Sequence, residues 1–194
     1  MASSEVLIRT DNTPIVFAKS GEYSPQTNGV IGTRTDEIDV DEGVTTGLAE
    51  QSAKVDLGVN HAEEFEVMCT FQLEDDATAG DTLDFYWSNS HIATAAVGNL
   101  GFASGVSGPF TGTSGMTLAE TLKHLIFIGS IPVGVNNDGD ANAGLQIAPI
   151  GRFPPGAQRY GSIIHHNNTS VTMEDAVEFA IRMKAVIPDI QAEA

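Results

Sequence analysis

Glu64-Phe65-Glu66-Val67-Met68-Cys69-Thr70-Phe71-Gln72-Leu73 alternates without a break. Phe65, Val67, Cys69, Phe71 and Leu73 fall on one side; Glu66, Met68, Thr70 and Gln72 fall on the other. A period of two belongs to an extended chain, whose successive side chains point to opposite faces. The stretch therefore predicts a strand with one face in a core and the other toward solvent. Thr82–Ser88 repeats the pattern through Leu83, Phe85 and Trp87, and the intervening Asp75–Asp81 is turn-rich. The two runs are expected to form an antiparallel pair with a medium loop.

The same signals continue toward the C-terminus. Leu122–Val133, Leu145–Phe153, Arg159–His166 and Val177–Val186 read as strands. Polar turns at Gly134–Gly144 and Asn167–Ser170 and the rigid corner Pro154-Pro155-Gly156 separate them. Thr117–Lys123 has room for one helical turn, but no long helix is present to carry a parallel crossover. Residues 51–194 are accordingly predicted to be all-β, an antiparallel two-sheet β-sandwich. Strand number and long loops favour a jelly roll, with an immunoglobulin-like sandwich as the alternative. The Gly/Ser/Thr-rich stretch from 89 to 116 is longer than most loops in compact domains and reads as a contact surface.

Residues 1–50 are less regular. Short extended pieces at Glu5–Arg9 and Pro14–Ala18 are followed by the aperiodic Gly21–Gly29. In Asp36–Gly43, Ile38 and Val40 alternate with acids. This quarter reads as an extended N-terminal arm or strap that packs on something else, with flexible disorder as the competing reading.

Charge narrows the function classes. The net charge is −17, and Asp36 to Asp84 holds fifteen acids against one base, Lys54, a net of −14. Such a field repels phosphates, which argues against nucleic acid and anionic membranes as partners. It suits solubility and a basic partner. No apolar run approaches the roughly 20 residues of a membrane span. Met1–Glu5 lacks the basic-then-apolar order of a signal peptide, so synthesis and residence in the cytoplasm are expected. The single cysteine, Cys69, sits in the apolar alternation and reads as a buried structural thiol.

The chemical motifs fail one by one. Asn137-Asp138-Gly139-Asp140 resembles the start of a calcium loop, but counting from Asp138 the sixth and twelfth places hold Ala143 and Pro149 instead of Gly and Glu. His165-His166, even with His91 or His124, cannot chelate one ion from a regular strand, because neighbours point to opposite faces. One imidazole is expected toward the core edge and the other toward solvent. Glu63-Glu64-Glu66 and Asp75-Asp76 are adjacent carboxylates, not a pair placed across a sugar ring. No Gly-x-Ser-x-Gly elbow and no Gly-x-x-x-x-Gly-Lys loop occurs. Tyr86, Trp87 and Phe102 are candidates for a sugar-binding face, although a Trp placed like Trp87 at a strand end is more often core. The reading is a structural binding protein without catalytic, cofactor or metal residues.

Several pieces are more specific. Gly47-Leu48-Ala49, Gln51-Ser52-Ala53-Lys54-Val55-Asp56-Leu57-Gly58, Asp84-Phe85-Tyr86-Trp87-Ser88 and Gly98-Asn99-Leu100-Gly101 are four of them. Leu125-Ile126-Phe127-Ile128-Gly129-Ser130 and Arg159-Tyr160-Gly161-Ser162 with Asn167-Asn168 complete the set. Over roughly residues 47–190 the chain resembles small jelly-roll virion proteins of tailed bacteriophages, of the capsid cement or decoration type. The resemblance implies an outer-head protein without a cofactor, binding the major capsid protein and itself, as a trimer before a dimer. It implies a place on the virion, at the head exterior, after synthesis in the host cytoplasm. A tail- or fibre-associated module with a carbohydrate or receptor role is the alternative. Exposure and loop length single out Tyr23, Ile38, Val40, Phe102 and Phe110 as partner-binding candidates.

Overall fold

The computed structural model describes residues 13–24, 29–39, 44, 46–59, 61–113, 115–133, 145–173 and 179–186. Its strands are β1 (Ile15–Ala18), β2 (Asp36–Glu37), β3 (Ala49–Gln51), β4 (Val55–Asp56), β5 (Phe65–Phe71) and β6 (Thr82–Ser90), then β7 (Gly108–Pro109), β8 (Ile126–Pro132), β9 (Gln146–Phe153), β10 (Tyr160–Asn168) and β11 (Ala180–Ala185). A 3-10 turn covers Leu100–Phe102, and a short helix, α1, covers Leu118–Leu122. Thr117 caps α1 in a reciprocal capping box with Glu120.

Two sheets pack face to face. One has the order β2-β1-β11-β5-β9, the other β7-β3-β10-β6-β8, with β4 also paired to β10. The pairing is nested along the chain. β6 pairs with β8, β5 with β9, β3 with β10 and β1 with β11, all antiparallel. A long antiparallel ribbon rolled over a core has this order, and it defines the jelly roll. The immunoglobulin-like alternative is thereby set aside. The short β1–β2 contact is the one parallel pairing among the described strands.

The alternation in Phe65–Phe71 does face the core: Phe65, Val67, Cys69 and Phe71 are buried. Its expected partner is different. β5 and β6 lie in opposite sheets. Alternation specifies which face a strand buries but not which strand lies beside it, and both strands bury their apolar faces in the same core. The connection between them is held elsewhere. Asp81 Oδ2 accepts bonds from Ser170 N, Ser170 Oγ and Thr78 N, and Leu73 bridges to Met173.

The N-terminal quarter also departs from expectation. β1 is an inner strand of its sheet, and Val16, Phe17 and Ala18 are buried. Phe17 and Ile38 enter the main core, while Val16 and Ala18 pack with Tyr23 and Ile31 in a smaller cluster. The described residues of this region are part of the sandwich, because their apolar side chains are needed to fill it. Glu5–Arg9 and Val40 lie outside the described residues.

Both open sides of the sandwich are drawn together. On one side Ile38 bridges to Ser52, and Ala53 N donates to Glu37 O at 2.9 Å. On the other, β8 and β9 meet at Gly129, where a Cβ would lie 2.3 Å from Ile150 O. Joining edges in this way hides strand edges that would otherwise pair with other chains. Opposite β5, β9 is irregular between Val67 and Met68, which sends both Ile150 and Phe153 inward.

Trp87 fixes the centre. It is fully buried, against Phe153 with ring centroids 5.5 Å apart. Its indole covers Gly161 so closely that a Cβ there would lie 2.2 Å from the ring. Neither partner has room to move in a packed core. Gly161→Ala is expected to cost about 1–3 kcal/mol by overpacking. A lowered urea midpoint would register it, and an unchanged midpoint would contradict this account of the centre.

Candidate binding face

The outer face of the six-stranded sheet carries the 91–113 loop, α1 and a groove between them and the strands. The loop is long, yet it is tied at many points. β3 and β4 are separated by Ser52-Ala53-Lys54, and Lys54 reaches from that gap into the loop. Its ammonium donates to Ser90 Oγ (3.1 Å), Ile92 O (3.0 Å), Thr94 O (2.7 Å) and Val97 O (3.0 Å). Four acceptors around one cation replace the water it leaves.

Three further side chains complete this polar core. Asn99 Nδ2 donates to Ala95 O and Ala103 O, both at 2.6 Å. Gln51 accepts from Ser104 N through Oε1 and donates to Pro109 O through Nε2. Ser88 Oγ donates to Leu100 O at 2.6 Å. The loop is therefore ordered by hydrogen bonds together with two apolar anchors of its own, Ala103 and Phe110. Beneath it, Phe110, Leu122, Leu125 and Ile164 form a small apolar cluster with Ala49 and Ala103.

What the loop presents is apolar. Leu100, Phe102 and Val106 are exposed, Phe102 at 57%. Phe102 also has φ +61°, a left-handed conformation costly for a residue with a Cβ. Its ring lies edge-on to His124 at 6.4 Å between centroids. From Phe85 to Ala119 the chain contains no Asp, Glu, Lys or Arg. In a protein of net charge −17, the exposed residues of this stretch carry no charge of their own.

Beside the loop lies a groove of about 430 Å³. Two rows of cross-strand neighbours run along it, of which Asp84, Tyr86, Phe127 and His166 line the groove. Phe127, Tyr86 and Ile164 form an apolar row across β8, β6 and β10. Ser130, Asp84 and His166 form a polar row across the same strands. The register shift between Phe85 and Tyr86 opposite β8 leaves Ile128 unpaired, so Phe127 and Ser130 both face outward while Ile128 is buried. Tyr86 and Phe127 meet edge to face at 5.4 Å.

Asp84 is the charged centre of this floor. Ser130 Oγ donates to its Oδ1, and His166 Nδ1 stands 3.7 Å from Oδ2. Burial alone would raise its pKa, but His166, Ser130 and Thr82 together outweigh burial and hold the carboxyl below its usual range. The arrangement puts the carboxylate between serine and histidine. A nucleophilic triad needs the histidine beside the serine, so nothing in this geometry activates Ser130. Among the described residues no three His, Cys, Asp or Glu side chains cluster as a metal site would require.

His165, the next residue on β10, points the other way. It is fully buried between Phe85 and Phe179, each ring 5.2 Å away, and neither nitrogen has a hydrogen-bond partner among the described residues. Burial, with a smaller push from His166 against the pull of Asp84, lowers its pKa from 6.5 to about 3. The opposite orientations of the two histidines match the expectation for a strand. Cys69 is likewise buried, and burial pushes its thiol well up.

The five candidate contact residues separate. Phe102 is exposed on the binding face. Tyr23 is half-buried against Val16 and Ala18. Ile38 is fully buried and Phe110 is 2% exposed, so both serve the interior and neither offers a contact surface. Ile38 leaves its acidic neighbours outside to fill the main core, and Phe110 anchors the loop from below. Val40 lies outside the described residues, as does Asn137–Asn142. Trp87 is in the core, so an aromatic sugar-binding face cannot include it. Lys54, Gln51, Asp84 and Phe127 build the face and were not singled out for it by sequence. Two signals point to them: the lone base in the acidic stretch, and the charge gap beginning one residue after Asp84.

No protein-family model matches the chain, and no curated protein matches it.

Two outcomes follow for stability. Between pH 6.5 and about 3 the unfolded chain holds a proton on His165 that the folded chain excludes. The His165 contribution is thus present above pH 6.5 and is lost as the pH falls toward 3. His165→Leu is expected to flatten the acid side of the stability profile by up to about 1.4 kcal/mol per pH unit. Parallel wild-type and variant profiles in denaturant titrations would contradict this. Lys54→Met is expected to speed amide exchange across residues 91–99 about tenfold or more while strands β5 and β10 keep their protection. Equal protection of the loop in both proteins would show that the ammonium does not organise it.

Proposed function

We propose that this protein is a structural component of a tailed-phage particle, a cement or decoration protein that binds the outer surface of the head and stabilises the major capsid protein lattice. One observation carries the reading: an uncharged surface with exposed apolar residues, held rigidly on a closed jelly roll, in a chain that is otherwise strongly acidic. Interface centres are depleted of charge and enriched in aromatic residues. Exposed apolar side chains grouped on one face mark contact sites more often than catalytic ones. The strained Phe102 is consistent with a residue held ready for a partner, since strain of this kind collects at functional positions.

The remaining features agree. The acidic charge keeps such a protein from competing for packaged DNA. The resemblance over residues 47–190 is to virion proteins of this type. A repeating lattice would convert modest single-site affinity into tight decoration, helped by contacts between neighbouring copies, as a trimer before a dimer. A tail or fibre module that binds carbohydrate is the second reading, and it now rests on Tyr86 and Phe127 in the groove.

The test is reconstitution. Heads assembled without the protein are expected to bind it and to withstand a higher temperature afterwards. Phe102→Asp should weaken head binding about tenfold or more, because it buries a charge at the centre of the contact. Heads that never bind the wild-type protein, or that bind both proteins equally, would count against the reading.

A further inference from the structure

The geometry points to an arginine side chain of the partner as the occupant of the groove beside α1, its guanidinium against Asp84 and its stem along Tyr86 and Phe127. This rests on the reading of the outer face as a docking surface, and it names the chemistry that the surface selects.

The argument starts from the two rows of the groove floor. Asp84 is only 13% exposed at its side chain, yet it lines the groove and is held in its charged form. One oxygen takes Ser130 Oγ. The other faces His166 Nδ1 at 3.7 Å, longer than a hydrogen bond. Thr82 also bears on this carboxylate. With about four lone-pair positions, the carboxylate keeps acceptor capacity for a further donor. The adjacent row supplies ring faces. Phe127 is 55% exposed, and Tyr86 is half-buried beside it. Aromatic rings next to a mostly buried carboxylate suit a guanidinium, which stacks on rings and bonds a carboxylate through its fork. A compact, strongly hydrated ammonium uses the stacking surface less well.

Charge complementarity gives the same answer. At net −17 the protein's field draws a basic partner and repels an anionic one. Around the groove the neighbouring stretch from Phe85 to Ala119 is uncharged, so Asp84 is the acid that a basic side chain meets there. Lys123 also lines the groove and is the like charge that opposes an incoming cation; it is exposed, so its ammonium can turn away from Asp84 into water. A neutral sugar would use the rings and polar atoms but has no need of an ionised carboxylate.

The test uses the whole protein and a defined probe. Acetyl-Gly-Arg-Gly-amide is titrated while the ring resonances of Tyr86 and Phe127 are followed, with the citrulline peptide and maltose as comparison ligands. The arginine peptide is expected to give saturable shifts with a dissociation constant of about 1–10 mM, weakening as salt is added. The citrulline peptide and maltose should give none. Asp84→Asn, which keeps an acceptor for Ser130, should abolish the shifts of Phe127. Phe127→Ala removes an exposed ring without touching the core and should weaken binding about fivefold or more. No saturable shift, equal shifts with citrulline or maltose, or undiminished binding to both variants would overturn the inference. Head binding by the wild-type protein is measured alongside. If heads bind while the peptide does not, the arginine site fails and the cement reading stands; if the peptide binds at Asp84 while heads do not, the site stands and the cement reading fails.

Discussion

The register of β10 against β6 is the constraint on which the rest depends. Nine residue pairs run from Tyr160–Ser90 to Asn168–Thr82. Trp87 locks them, because its indole fits only over a residue without a side chain, and Gly161 is that residue. Because side chains alternate, a slip of one residue would exchange the two faces of β10. Ile163 and His165 would leave the core, and Ile164 and His166 would enter it. The groove floor would vanish at the same time, since Asp84 meets His166, and Tyr86 meets Ile164, only in the observed register. One close contact in the interior thus specifies an arrangement on the surface.

The surface itself is built on a different principle. The 91–113 loop exposes Leu100, Phe102 and Val106 and buries only Ala103 and Phe110 as apolar anchors, so hydrophobic packing alone does not fix its course. Its order comes from Lys54, Gln51, Asn99 and Ser88, whose polar atoms satisfy loop carbonyls and amides. Satisfied buried polar groups rigidify a segment, while unsatisfied ones cost it stability. A rigid loop loses less entropy when a partner covers it. This explains how a long glycine-rich segment can offer a defined shape, with Lys54 reaching into it from the gap between β3 and β4.

How much of this was legible in the sequence depends on the range of each interaction. The alternation of Phe65–Phe71 and of Leu83–Trp87 is local, and it identified strands and buried faces correctly. Their expected mutual pairing was wrong because the choice of neighbour is made by distant strands, β9 and β11 for β5, β8 and β10 for β6. Residues 15–18 looked like part of an arm because β1's partner, β11, lies more than 160 residues away in sequence. Ile38 and Phe110 looked like contacts because short acidic and glycine-rich surroundings mask their burial. Phe102, chosen for its place in a long loop, is exposed. The polar row of Ser130, Asp84 and His166 was not legible, because it joins three strands, although the charge gap after Asp84 stands in the sequence for anyone counting charges.

The proposal that the outer sheet face docks on a phage shell is tested by looking for the protein there. The most direct measurement is a three-dimensional reconstruction of a phage head carrying the protein, at a resolution that distinguishes the two sheets. The account predicts density joining the shell to the 91–113 loop and the groove, with the five-stranded sheet turned to solvent. A map with that loop facing solvent, or with the protein absent from the head, would contradict it.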